Sequence, residues 1–277
     1  MEKAISRDGT RIAFDQVGEG PPLILVGGAF QHRAIDMTSA RLAELLAPHL
    51  RVFYYDRRGR GESGDTAPYA VEREIEDLEA LIAEAGGSAH VFGISSGGAL
   101  ALEAARRGLA IRSLAVYEPP FIVDDTRPIP PRGLGERYTT LAATGRRGEA
   151  VGLFLRTAVG LPGEVVAQLR QAPVWPALES VAHTLAYDAA VMGDTLSGSV
   201  EPLRRWSSVR TPTLAIDGGA SPDWARNAVR TLAAILPNAE HRTMEGQTHQ
   251  VSPDALAPVL DAFFTGRSIA RVGEVSA

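Results

Sequence analysis

Apolar residues along the chain recur with two different periods, and the two alternate. Thr10 to Val17 follows an Arg-Asp-Gly turn and alternates apolar with polar residues, which predicts an edge-type strand. Gly18-Glu19-Gly20-Pro21-Pro22 reads as a turn, and Leu23 to Val26 as a short, fully apolar strand. Ala40 to Leu46 has helical spacing and stops at Pro48. Arg51 to Tyr55 is the next strand, and Val71 to Ala85 carries apolar residues at helical spacing with acids between them. Ala89-His90-Val91-Phe92 predicts a buried strand, Gly98 to Arg107 a helix, and Arg112 to Tyr117 another strand. Pro119 to Ser208 holds helical patches and no clear strand. The strand pattern resumes at Thr213 to Ile216, followed by a helix over Pro222 to Leu236, a strand over Ala239 to Met244 and a last helix over Pro253 to Phe264. The polar tail from Gly266 is expected to fray.

Strands alternating with helices imply an α/β fold, with a mostly parallel sheet covered on both faces. The helical stretch between the Arg112 and Thr213 strands reads as an insertion on one edge of that core.

Composition narrows the functional classes. The 277 residues can bury a large core, and 45% apolar with 22% charged is ordinary for a globular chain. A net charge of -5 argues against non-specific nucleic-acid binding. With no cysteine there is no disulfide, thiolate metal site or cysteine nucleophile. Lys3 is the only lysine, which sets aside lysine-based catalysis. Met1 to Thr10 is polar, without the apolar core of a leader, and no run approaches a membrane span, so a cytoplasmic protein with no membrane partner is expected.

The chemistry centres on Gly93-Ile94-Ser95-Ser96-Gly97, between the Ala89 strand and the Gly98 helix. A serine on a tight strand-to-helix turn is presented as a nucleophile, and glycines two residues to either side avoid collision with strand and helix. Twenty-eight glycines could produce the pattern by chance, so its setting and a late histidine give it weight. A serine hydroxyl needs a base, and His249 lies in a loop between the last strand and the last helix, where sites form in open parallel sheets. His49 and His90 sit beside strands, His183 lies in the insertion and His241 within a strand; His32 could line a pocket or the surface. The oxyanion formed on attack needs amide donors. One is Ser96, directly after the nucleophile; the other falls in Val26-Gly27-Gly28-Ala29-Phe30, with Gly28 first and Ala29 next, unless this is a plain turn.

With these residues in hand, the chain resembles the α/β-hydrolase superfamily. The order of nucleophile, insertion and histidine matches, and Asp56-Arg57-Arg58-Gly59-Arg60-Gly61-Glu62-Ser63 is similar to the Asp-x-Arg-Gly-x-Gly-x-Ser loop of these enzymes, here expected to brace the turn beneath the site. The resemblance implies an eight-stranded core over 1–118 and 209–277, with 119–208 as a helical cap. Family members that form alkyl-enzymes carry aspartate at the elbow; Ser95 implies an acyl-enzyme instead.

In the family's usual pattern the triad acid follows the seventh strand, and there the chain departs: Ser221 stands at that position in Ile216-Asp217-Gly218-Gly219-Ala220-Ser221-Pro222. Three acids remain open. Glu118 follows the sixth strand, where some members place the acid; Asp217 ends the seventh strand; Asp223 lies in the first turn of the next helix, where it could serve the helix dipole. Ala29, Phe30 and Phe121 are expected against the substrate. Phe121, Phe154, Leu155, Trp175, Leu185 and Met192 of the insertion line a pocket or form the insertion's own core. Asp188 and Asp194 read as surface or capping acids, and no cluster has metal-ligand spacing, so no metal and no cofactor is expected. The expected activity is hydrolysis of a carboxylic ester, lactone or thioester of a small acyl substrate. The alternatives are acyl transfer through the same intermediate and non-catalytic ligand binding. Oligomeric state is left open.

Overall fold

The computed structural model describes residues 2–267. Eight strands form one sheet: β1 (Glu2–Ile5), β2 (Arg11–Val17), β3 (Pro22–Val26), β4 (Arg51–Tyr55), β5 (Ala89–Ile94), β6 (Ile111–Tyr117), β7 (Thr213–Gly218) and β8 (Ala239–Met244). Their order is β1-β2-β4-β3-β5-β6-β7-β8. β2 is antiparallel to both its neighbours, and all pairs from β4 to β8 are parallel. This is the α/β-hydrolase fold. The pattern of apolar residues supplied seven of the strands. β1 escaped it because the strand is four residues long and buries only Ala4, while its partner β2 supplies the packing.

Strand alternation sends neighbouring side chains to opposite faces. Leu23 and Leu25 of β3 join a cluster with Leu42 and Leu46 of α1 (Met37–Leu46) and Leu256, Leu260 and Phe264 of α10 (Pro253–Thr265). Ile24 and Val26 point the other way, to Ile75 and Leu78 of α2 (Val71–Glu84), Leu100 of α3 (Ser96–Arg106) and Val229 and Leu232 of α9 (Asp223–Ile235). Asp36 caps α1 by accepting from the Thr38 and Ser39 amides, which starts that helix three residues earlier than its apolar spacing suggests.

Between β6 and β7 lie α4 (Leu134–Ala143), α5 (Arg147–Phe154), α6 (Gly163–Leu169), α7 (Trp175–Ser180) and α8 (Leu185–Met192). They enclose a third apolar cluster, with Tyr138, Val151, Leu155, Trp175 and Leu185, and only Phe30 enters it from the sheet's own loops among the described buried residues. α8 packs onto α3, which carries the insertion over the carboxyl ends of β5 and β6. Among the described residues no helix is long and apolar enough to cross a membrane. The tail expected to fray lies, from residue 268, outside the described residues.

Candidate active site

Three non-glycine residues among those described have positive φ: Phe30 (64°), Ser95 (56°) and Glu118 (41°). Each follows the carboxyl end of one of three adjacent strands, β3, β5 and β6. Such conformations cost on the order of 1–3 kcal/mol each and persist only where the surroundings dictate them. At Ser95 the surroundings are glycines. A Cβ on Gly93 would lie 2.6 Å from Gly97 O, and one on Gly97 would lie 2.3 Å from Val26 O. Neither position admits a side chain while the strand turns straight into α3.

Glu118 meets His249. The histidine Nδ1 is 2.9 Å from Glu118 Oε2, and Glu118 Oε1 accepts the Gly218 N–H at 2.8 Å. The carboxylate is thus buried and fixed at both oxygens, while the imidazole is 46% exposed and open to a substrate. Tyr117 connects the parts: its carbonyl accepts the Ser95 N–H at 2.9 Å, and its hydroxyl donates to Thr248 O at 2.6 Å. The dipeptide Tyr117-Glu118 therefore holds the serine turn from one side and the histidine loop from the other. No hydrogen bond joins Ser95 Oγ to His249, a contact that serine and base commonly make only once substrate is bound.

Asp217 does not reach His249. It shares the face of Ala215, under α9, and is fully occupied there: Thr243 Oγ1 donates to Oδ1 at 2.7 Å, His241 Nε2 is 3.1 Å from Oδ1, and Arg226 Nε is 3.3 Å from Oδ2. Asp223 is exposed on the first turn of α9. Ser221, where the usual pattern has an acid, is buried with its hydroxyl unpartnered. The other histidines are engaged elsewhere. His49 meets Asp261, His90 meets Ser113, and His183 lies beside Asp65 and the Tyr187 ring. His32 is buried in a cavity of about 10 Å³ with Gly27, Asp36 and Tyr55, and its burial lowers its pKa.

The loop after β3 corrects one expectation. Gly28 presses on Ser95, since a Cβ there would lie 2.8 Å from Ser95 Cβ. Its N–H, however, is donated to Gln31 Oε1 at 2.5 Å, and Gln31 is itself held by Asp36. An amide already spent on a side chain is not free for an oxyanion. Among the described residues the Ala29 and Ser96 amides have no intramolecular partner.

Asp188 requires a larger correction: it is neither a surface acid nor a cap but 3% exposed. Its Oδ1 accepts from Ser96 Oγ at 2.7 Å and Arg57 Nη1 at 2.8 Å, and its Oδ2 from Arg60 Nη2 at 2.7 Å. Arg57 also pairs with Glu74 through two contacts of 2.7 Å. Two guanidiniums thus face two carboxylates, a buried cluster with no net charge. Burial opposes the charged form of Asp188, but Arg60 and Arg57 outweigh it and hold the carboxyl below its usual range. The signal for this cluster lay in the run Asp56 to Arg60: three nearby arginines need acids, and Asp188 is a lone acid among apolar neighbours on a helix. Asp194 is an exposed acid paired with Arg205.

Phe121 is also corrected. It is fully buried, stacked on Trp206 with ring centroids 5.1 Å apart, in the core cluster beneath α3 and α9, so it cannot touch a substrate. Met192 lies in the same cluster, while Leu155, Trp175 and Leu185 form the insertion's core. Phe30 packs edge-on against the half-buried Phe154 at 5.2 Å, bringing the insertion to the loop that carries Ala29. Among the described residues no three His, Asp or Glu side chains are grouped to hold a metal ion.

Comparison with known proteins agrees with the fold. A model of the alpha/beta hydrolase family matches residues 23–259. The chain is similar to an alpha/beta hydrolase from Sphaerobacter thermophilus, with 56% identity, a TM-score of 0.87, and coverage of 95% of this chain and 100% of the other. At 22% identity it shares the fold of a thermophilic esterase from Thermogutta terrifontis, with a TM-score of 0.70 and 96% and 98% of the two chains covered. It also shares that of an enol-lactonase from Burkholderia xenovorans, at 22% identity, a TM-score of 0.63 and 96% and 97% coverage.

Proposed function

The chain belongs to the alpha/beta hydrolase family, and on that footing we propose that it is a serine hydrolase cleaving a carboxylic ester, lactone or thioester through an acyl-enzyme on Ser95. The observation that carries this reading is the 2.9 Å contact of His249 Nδ1 with buried Glu118, on a loop tied by Tyr117 to the strained serine turn. That an esterase and an enol-lactonase share the fold is in keeping with an ester or lactone substrate.

In this reading Ser95 Oγ attacks the carbonyl carbon and its proton passes to His249 Nε2. Glu118 accepts the Nδ1–H, fixes the tautomer and stabilises the imidazolium. The Ser96 and Ala29 amides bind the oxyanion. His249 then protonates the departing alcohol, thiol or, for a lactone, the ring oxygen. The same imidazole deprotonates the water that attacks the acyl-enzyme, and the carboxylic acid leaves.

The test is turnover of p-nitrophenyl esters of graded acyl length by the wild type and Ser95→Ala. The reading expects turnover that Ser95→Ala reduces to background. Ester binding without turnover, unaffected by Ser95→Ala, would instead mark a ligand-binding protein on a hydrolase scaffold.

A further inference from the structure

Two peptide groups of the loop after β3 are held by their carbonyls. Arg57 Nη1 donates to Gly27 O at 3.3 Å, and Arg60 Nη1 donates to Gly28 O at 2.5 Å. In a planar trans peptide the C=O and the following N–H point in opposite directions. Fixing Gly27 O therefore fixes the Gly28 N–H, which lands on Gln31 Oε1. Fixing Gly28 O likewise aims the Ala29 N–H away from Arg60. Both guanidiniums converge on Asp188 of α8, and the same carboxylate accepts the Ser96 hydroxyl. Thr184, just before α8, accepts the Arg60 Nε at 3.1 Å.

The geometry points to Asp188 as a positioning residue for the oxyanion site: one carboxylate from the insertion sets the direction of the amides on both sides of Ser95. This rests on the acyl-enzyme reading above. Arg57 and Arg60 occupy the two variable positions nearest the start of the Asp-x-Arg-Gly-x-Gly-x-Ser pattern, so the device belongs to this chain rather than to the pattern. Its consequence is that the hole is assembled only when the insertion is docked. Replacing Asp188 by Asn turns an amide N–H toward one of the two guanidiniums, and that arginine must leave the carbonyl or the carboxamide it faced.

The test compares wild type, Asp188→Asn and Asp77→Asn. Asp77 pairs with Arg58, which contacts neither Ser96 nor the loop after β3, so its loss reports the structural cost of a broken buried pair. The readouts are kcat and KM for an ester, and the affinity of an alkylboronic acid. The boronic acid bonds to Ser95 Oγ through boron, the serine proton passes to His249, and a hydroxyl of the tetrahedral boronate anion so formed occupies the hole. Asp188→Asn is expected to lower kcat and boronate affinity together by about tenfold to a hundredfold, within reach of losing one oxyanion donor, while KM changes by less than about threefold. Asp77→Asn should change kcat by less than about threefold. Asp188→Asn matching Asp77→Asn in all three readouts would overturn the inference alone. A wild type that neither turns over nor binds the boronate would sink the acyl-enzyme reading and the inference with it. Should Asp188→Asn not fold, Arg60→Lys decides: its single ammonium cannot span Gly28 O and Asp188 as the fork does, so boronate affinity should fall at least about fivefold, and wild-type affinity would contradict the proposal.

Discussion

Tyr117 and Thr248 are joined by a 2.6 Å hydrogen bond from the tyrosine hydroxyl to the threonine carbonyl, one residue before His249. Because the Tyr117 backbone carbonyl also accepts the Ser95 N–H, a single residue ties the two loops that the proposed reaction brings together. Tyr117→Phe removes the hydroxyl and leaves the exposed Thr248 O to water, at a cost of about 0.5–1.5 kcal/mol. The expected kinetic result is kcat lower by about tenfold with KM nearly unchanged, since misplacing a catalytic group is costly even at a distance. Steady-state kinetics and a thermal melt check both halves.

Glu118 and Asp217 are told apart by substitution. Glu118→Gln keeps a group that can accept the Gly218 N–H, but it cannot stabilise the imidazolium, and kcat should drop by about 10²–10⁴. Asp217→Asn should leave kcat within about threefold while lowering stability by about 1–3 kcal/mol, through its lost bonds to Thr243, His241 and Arg226. Kinetics and denaturant melts on both variants decide. The opposite pattern would hand the acid role to Asp217.

The strand and helix pattern, the Ser95 turn and the His249 loop were all legible in the sequence, because glycine spacing and hydrophobic period are local properties. The fate of the acids was not local. Glu118, Asp217 and Asp223 differ in which way their strand or helix faces, and only the packed sheet shows Asp217 turned under α9. Asp188 was misread for the same reason: its partners Arg57 and Arg60 lie about 130 residues away in sequence. Phe121 looked like pocket lining because an aromatic just past β6 sits near the site in sequence, yet its ring turns back onto Trp206. Gly28 failed as a donor through one side chain, Gln31, three residues on.

Glycine placement gives a stability test. Gly97→Ala drives a methyl to within 2.3 Å of Val26 O and 2.6 Å of Gly27 O, both backbone atoms that cannot yield cheaply. It should destabilise by about 3 kcal/mol or prevent folding, as severe overpacking does. Gly163→Ala, at the first residue of α6 with nothing within 4 Å, should be neutral or slightly stabilising. Paired urea melts check the contrast.

Acid sensitivity has a defined window. Burial lowers the pKa of His32, His90 and His183 below the ordinary 6.5. Each therefore binds its proton more readily in the unfolded chain. Their contribution to stability is complete above pH 6.5 and is lost as pH falls below it, toward the folded values. The carboxylates held low, Asp8 at about 2 and Asp188 below its usual 3.8, contribute fully above 3.8 and lose that contribution as the pH falls from there toward their folded values, outside this range. Unfolding free energy measured between pH 8 and 5 should be level to about 6.5 and then decline. A variant with His32→Asn and His90→Asn should decline less over the same range. A wild type equally stable at pH 7 and 5 would contradict the assignment.

The central claim, that Ser95 is a nucleophile activated by His249 and Glu118, is tested most directly by reaction with a fluorophosphonate probe followed by peptide mapping. The account predicts one phosphonyl group per chain on Ser95, formed far more slowly in His249→Ala and absent in Ser95→Ala. Folded wild-type protein that takes up no probe, or takes it up elsewhere, would contradict it.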